Sequence, residues 1–313
     1  MPITARLGGV YAAAITPLKP DYNPDLEAIP LYLDFLRQRG CHGALLLGTT
    51  GEGPSFSPPE RLAILRTATE TRSAHPDFHL LAGTGTPSLD ETIALTRSAF
   101  DLGFDGVIVL PPYYYRKVPD DGLYEWFKEV LLHAVPQDGV LLGYHIPPIT
   151  GVPLSFGLLR HLKDSFPTAF AGIKDSSNDA EHALQVGKLF GNELLILNGD
   201  DRLFSLAMEA GASGCITALA NLFSPDLRRV WEGFKSGKPD LQAQDRLNTA
   251  RTILDRFPPY PPLIKALLPR LHKLPHWQVR PPLLPTSPDT VKQAWEGLNA
   301  AGIFTNASEI PAG

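Results

Sequence analysis

Lys174 closes an apolar run, Ala169–Lys174, and Asp175, Ser176 and Ser177 follow it at once. A lysine at the end of a strand set among apolar side chains is disfavoured as an ammonium. A neutral amine attacks a ketone and forms a Schiff base. The plainer reading is a lysine paired with Asp175 or another carboxylate. Tyr144 lies near the end of the preceding run, Val140–Ile146. A phenol there can relay protons, or simply pack with its hydroxyl bonded. Gly48-Thr49-Thr50-Gly51-Glu52 offers two hydroxyls and several backbone N–H groups, the parts of a carboxylate-binding nest; an ordinary turn uses the same residues. Gly51 lets backbone approach a ligand, and Glu52 reads as a brace for the loop. Tyr113-Tyr114-Tyr115 and Gly199-Asp200-Asp201 end two further runs. The tyrosines suit an exposed aromatic cluster at a subunit contact or, equally, a partly packed core. His145 is either an acid/base or a structural ring.

Other chemistries find less support. The nine histidines form no H-x-x-x-H or H-E-x-x-H, and Cys41 and Cys215 are too few for a metal cluster or a disulfide framework. No metal is expected, and the compartment is expected to be reducing. Gly83-Thr84-Gly85 lacks the third glycine of a dinucleotide loop. A net charge of −5 and a pI near 6.0 argue against a nucleic-acid or anionic-membrane binder. Met1 to Leu7 lacks the apolar stretch of a signal peptide, and the longest apolar runs are strand-length. The expectation is a cytoplasmic globular protein.

The elements that must hold these residues repeat one pattern. Eight short apolar runs, Val10–Thr16, Gly43–Gly48, Leu80–Gly85, Gly106–Leu110, Val140–Ile146, Ala169–Lys174, Leu194–Asn198 and Gly214–Ala218, alternate with helical patterns. Continuous apolar runs suit strands buried on both faces. Helix starts are marked by Ser57 with Glu60 in capping-box spacing, Ser88, Asp120 or Asp121, Ser155, Asn178, Asp200 or Asp201, and Ser224-Pro225-Asp226. Eight strand–helix units predict a (β/α)8 barrel, with a doubly wound sheet as the competing arrangement. Residues 1–223 form the expected barrel core. Residues 224–313 form its last helix and a C-terminal helical extension, Leu241–Phe257, Leu263–Leu271 and Thr290–Ala301, with Pro281–Pro288 as a stiff connector. Phe257–Pro262 either shapes the pocket rim or only joins helices. In such a barrel the reactive groups stand at the C-terminal ends of the strands, where Lys174, Tyr144 and Thr49 fall.

Gly48-Thr49-Thr50-Gly51-Glu52, Pro112-Tyr113-Tyr114, Tyr144 with Pro147, Gly172-Ile173-Lys174-Asp175 and Gly199-Asp200-Asp201 occur in one order on successive strands. With them the chain resembles the dihydrodipicolinate synthase / N-acetylneuraminate lyase superfamily of class I, pyruvate-dependent aldolases, from about Gly8 to Ala301. The resemblance implies a (β/α)8 barrel with a C-terminal helical extension, a homotetramer of tight dimers and no cofactor beyond a covalent imine. It implies that Lys174 forms that imine with pyruvate or another 2-oxo acid and that Tyr144 relays protons. Thr49 and Thr50, beside Gly48, would bind the pyruvyl carboxylate, with Thr49 also in the relay. Tyr114 would cross a dimer interface into the partner's site, and Gly199 and Ile216 would line the pyruvyl pocket.

The departures bear on substrate. Ile149 stands where the lysine-pathway synthase has an arginine for its second substrate's carboxylate, a contact worth several kcal/mol. Asp201 keeps one acid of the pair with which sialate lyases grip hydroxyls, but Arg202 follows it. Arg202 is expected to pair with Asp201, the alternative being a distal substrate carboxylate. Gly53-Pro54-Ser55-Phe56-Ser57 and the triple tyrosine are similar to aldolases of 2-keto-3-deoxy sugar acids. The expected function is an aldolase or lyase joining pyruvate to a small aldehyde, or cleaving such a 2-oxo acid. The alternatives are a keto-deoxy sugar acid dehydratase, a true dihydrodipicolinate synthase and a catalytically silent 2-oxo acid binder.

Overall fold

In the computed structural model, which describes residues 3–304, eight parallel strands close into a single barrel in chain order. They are β1 Gly9–Ala13, β2 Gly43–Leu46, β3 His79–Gly83, β4 Gly106–Val109, β5 Leu141–His145, β6 Phe170–Asp175, β7 Leu195–Asn198 and β8 Gly214–Thr217. β1 pairs with both β2 and β8, which closes the sheet and excludes the doubly wound arrangement. Each strand overlaps an expected run. Several end two or three residues early, because the chain turns out of the ladder to build the loops at the barrel mouth; Leu47, just past β2, has φ +58.

The runs are apolar throughout because both faces are covered. Tyr11, Leu45, Leu81, Ile108, Leu142 and Leu197 fill the barrel interior. Val10, Ala44, Leu80, Val107, Leu141 and Ile196 face the surrounding helices. β6 breaks this alternation once. Leu141 of β5 pairs with Phe170, but Leu142 pairs with Gly172, so Ala171 is an extra residue. Phe170 therefore packs outside while Lys174, four residues on, shares the inward register of Tyr144.

Most helix starts follow their capping residues. Ser57 and Glu60 form the capping box, and Ser88 and Ser155 accept backbone N–H bonds at their helix ends. Asp179, not Asn178, caps the helix Ala180–Phe190, because its side chain reaches two backbone N–H groups. The helix expected from Ser224 begins at Ala220 and kinks at Phe223 (φ −130, ψ 33), so Pro225 sits in the first turn past the kink, where it interrupts little. The expected boundary between 1–223 and 224–313 lies beside that kink; residues 1–2 and 305–313 of those ranges lie outside the described residues. The C-terminal helices are Leu241–Leu254, Tyr260–His272 and Pro288–Ala300.

One buried ion pair fastens this extension to the threonine loop. Lys265 Nζ lies 2.5 Å from Glu52 Oε1 and donates to the Gln278 carbonyl at 2.6 Å, while the Arg280 N–H donates to Glu52 Oε2 at 2.9 Å. Glu52 itself has φ +56. Removing one member of a buried pair strands the other. Lys265→Met is expected to cost about 3–5 kcal/mol in urea unfolding. A loss below about 1 kcal/mol would show the pair to be dispensable.

Burial also depresses three histidines, His42, His145 and His272, each to about 4. Between that value and the ordinary 6.5 the unfolded chain binds more protons than the folded one, so stability rises with pH across this window. The melting temperature is expected to fall steadily on acidification from pH 7 toward 5, as calorimetry can follow. A flat profile would contradict the burial of these rings.

Candidate active site

Tyr144 and Lys174 are register partners across β5 and β6, so both side chains point into the same mouth. Lys174 Nζ sits 4.0 Å from the centre of the Tyr144 ring. The Tyr144 hydroxyl is 3.3 Å from Thr49 Oγ1 on the loop after β2. Burial would raise the Tyr144 phenol, but the nearby Lys174 amine and contacts with the Thr49 and Ser176 hydroxyls outweigh it and hold the phenol below its ordinary value. Asp175 does not pair with Lys174. Its carboxylate faces outward, 3.0 Å from His182 Nδ1, and accepts the Ser177 N–H. Among the described residues Lys174 makes no ion pair.

Lys174, Tyr144, Thr49, Thr50, Gly199 and Ile216 line one cavity of about 310 Å³. Gly199 fits because a Cβ there would meet Ser176 Oγ at 1.9 Å and the Asp175 carbonyl at 2.8 Å. Gly51 answers a similar demand in an unexpected direction: its missing side chain makes room for the Ala14 carbonyl of the chain just past β1, 2.7 Å from a built Cβ, rather than for a ligand. Gly48 lies behind the loop, in a small side cavity shared with Thr49 and Tyr144. Tyr114 is 76% exposed, packed edge-on against Tyr115, and takes no part in the lining of this cavity.

The far wall comes from the C-terminal extension. Arg251, Pro259, Tyr260 and Pro261 face the mouth, so the proline-rich stretch does shape the rim. Asp201 is fully buried behind Arg251, whose Nη1 lies 3.0 Å from Asp201 Oδ2. Burial pushes the Asp201 carboxyl up, with Arg251 opposing. The expected Arg202–Asp201 pair is not formed. Arg202 binds Asp200 at 2.8 Å and Asp255 at 3.1 Å, because Arg251 already occupies Asp201. Arg251 itself carried no local sequence signal: it sits in a helix without catalytic spacing, and only closure of the extension over the barrel brings it to the cavity.

His145 faces away from the cavity. It accepts the Leu154 N–H at Nδ1 and stacks on His182, centroids 4.3 Å apart and planes 2° apart. With Asp175 these rings make a group of metal-ligand types. Their bonds already hold strand to helix, and parallel rings do not converge on one ion.

Known proteins match this chain over nearly its whole length. The description "Dihydrodipicolinate synthetase family" matches residues 6–301. An "Uncharacterized DapA-like lyase" of Chloroflexus aurantiacus is 40% identical over 90% of this chain and 93% of its own. The chain belongs to the dihydrodipicolinate synthetase family. It is accordingly a lyase. A 4-hydroxy-tetrahydrodipicolinate synthase of Sorangium cellulosum is 33% identical over 93% of this chain and 95% of its own. The crystal structure of dihydrodipicolinate synthase from Agrobacterium tumefaciens superposes with a TM-score of 0.83 at 31% identity, covering 93% of this chain and 98% of that one. YagE from Escherichia coli, crystallised in complex with pyruvate, shares the fold with a TM-score of 0.88 at 24% identity over 95% and 99% of the two chains. Lys174 and Tyr144, both buried, line the cavity from the barrel side, and Arg251 and Tyr260 line it from the extension.

Proposed function

We propose that the enzyme is a Schiff-base aldolase that makes or cleaves the bond between C3 of pyruvate and an aldehyde carbon. The Lys174 amine over the Tyr144 ring, with the phenol bonded to Thr49, carries this reading. The amine attacks C2 of pyruvate and the ketone oxygen leaves as water. The imine, an electron sink, releases a C3 proton to give an enamine. The enamine carbon then attacks the aldehyde, whose oxygen gains a proton, and water frees the product from Lys174. Tyr144 and Thr49 carry the protons, and the loop of Thr49 and Thr50 receives the pyruvyl carboxylate. No metal is required. A relative crystallised with pyruvate supports the first substrate.

The second substrate is read as a short hydroxylated aldehyde, so that the cleaved compound is a 2-keto-3-deoxy sugar acid. Ile149 lines the cavity, 59% exposed, where a carboxylate-binding arginine would favour the lysine pathway. Release of pyruvate from 2-keto-3-deoxygluconate is the expected result. Loss of water without C–C cleavage would make the enzyme a dehydratase. Consumption of aspartate semialdehyde alone would favour the synthase activity for which several curated relatives are named.

The assembly is proposed to be a homotetramer of tight dimers, with Tyr114 entering the partner's site. The exposed Tyr114–Tyr115 pair supports this. Tyr114→Ala is expected to shift sedimentation toward smaller species and to lower turnover about tenfold or more. An unchanged sedimentation profile and rate would remove Tyr114 from both roles. None of the helices among the described residues is long and apolar enough to cross a membrane, and a cytoplasmic location is proposed.

A further inference from the structure

Arg251 is, with Lys174, one of two cationic side chains lining the cavity among the described residues. It approaches from the helix Leu241–Leu254, on the wall opposite the barrel strands. Its position invites the reading of a carboxylate receptor replacing the arginine absent at Ile149. Its bonding argues otherwise. A guanidinium grips a carboxylate through two parallel N–H bonds, either from Nε with Nη2 or from Nη1 with Nη2. Nε already donates to Asp255 at 2.9 Å and Nη1 to Asp201 at 3.0 Å. The Nε edge has therefore spent its single N–H, and on the other edge Nη1 already gives one of its two N–H groups to buried Asp201. Among the described residues Nη2 is left without a bond, and it is not sealed from solvent.

The surrounding charge points the same way. Asp200, Asp201 and Asp255 face Arg202 and Arg251, three carboxylates against two guanidiniums, all linked by ion pairs. This end of the cavity offers no uncompensated positive charge to a second anion. It does offer single, fixed donors and acceptors. Arg251 Cζ lies 4.5 Å from the Tyr260 ring centre, a contact that helps to orient it. The Tyr260 hydroxyl donates to Asp255 at 2.7 Å and keeps its lone pairs. Ser176 and Asn178 add neutral polar groups to the lining.

We propose that Arg251 is a specificity-determining residue whose Nη2 donates one hydrogen bond to a hydroxyl of a neutral aldehyde partner, so that hydroxyaldehydes are taken in preference to aldehydes ending in a carboxylate. Asp201 and Asp255 make this selection by engaging Nη1 and Nε and by balancing the guanidinium charge. The inference rests on the pyruvate–imine reading and names the chemistry of its second substrate.

The test measures condensation of pyruvate with three aldehydes: glyceraldehyde, propanal and succinic semialdehyde. Borohydride trapping of the pyruvyl adduct on Lys174 is run beside each assay. For the native enzyme kcat/KM is expected to be about 10- to 100-fold higher with glyceraldehyde than with either other aldehyde, the span of one charge-assisted hydrogen bond. In Arg251→Gln the glyceraldehyde-to-propanal ratio should collapse to about 1–3. Because that change strips buried Asp201 of its partner, the native aldehyde profile and Arg251→Lys, which retains a charge for Asp201, are read with it. Arg251→Lys should lower the ratio while the adduct still forms. An adduct combined with a preference for succinic semialdehyde, or with no advantage for glyceraldehyde, would overturn the role of Arg251. Failure of the native enzyme to form any adduct would overturn the imine reading itself and this inference with it.

Discussion

Lys174→Ala is expected to abolish covalent capture of pyruvate and to lower turnover by about 10⁴-fold or more, the scale on which removing a covalent nucleophile acts. Borohydride reduction in the presence of pyruvate should add one reduced pyruvyl group to the native chain, located on Lys174 by peptide mass spectrometry, and none to the variant. The structure makes the comparison clean. Lys174 forms no ion pair among the described residues, and its immediate neighbour Asp175 is held by His182 and the Ser177 N–H. Removing the amine therefore breaks no buried pair, and the variant should melt close to the native protein. Capture persisting on another lysine, or turnover within tenfold of native, would sink the mechanism.

Tyr144→Phe is expected to retain pyruvate capture and to lower kcat by about 10²- to 10³-fold. The ring that faces the amine stays, and only the hydroxyl bonded to Thr49 is lost. The pH profile separates a proton relay from a packing role. The native phenol is held below its ordinary value by its surroundings, burial notwithstanding, so the native enzyme should lose activity on the alkaline side earlier than a free phenol would predict. That limb should be missing in Tyr144→Phe. A uniform drop at every pH with the limb intact would assign it to another group and leave Tyr144 a structural residue.

Much of this was legible in the order of residues. Strands covered on both faces must be apolar throughout, so the eight runs stood out, and Ser57, Ser88 and Ser155 marked helix starts through local bonds. The grouping of Lys174, Tyr144 and Thr49 followed from their places at strand ends. What escaped depends on contacts between distant parts of the chain. The Arg251–Asp201 pair spans 50 residues and leaves no periodic trace, so the sequence offers only the adjacent Arg202 as a partner for Asp201. The approach of Gly51 to the Ala14 carbonyl is equally invisible from Gly51's neighbours.

The odd residue in β6 has a consequence for how this strand tolerates change in length. Phe170 is moored among the helices and Lys174 over the mouth, and Ala171 is the slack between them. Shortening the strand by Ala171 leaves a regular ladder with the amine still aimed inward. Shortening it by a second residue leaves no slack to take up, puts Lys174 on the same face as Phe170 and swings the amine out among the helices. A first and a second deletion in this strand thus differ in kind: one trims the strand, the other disarms the enzyme inside an intact barrel.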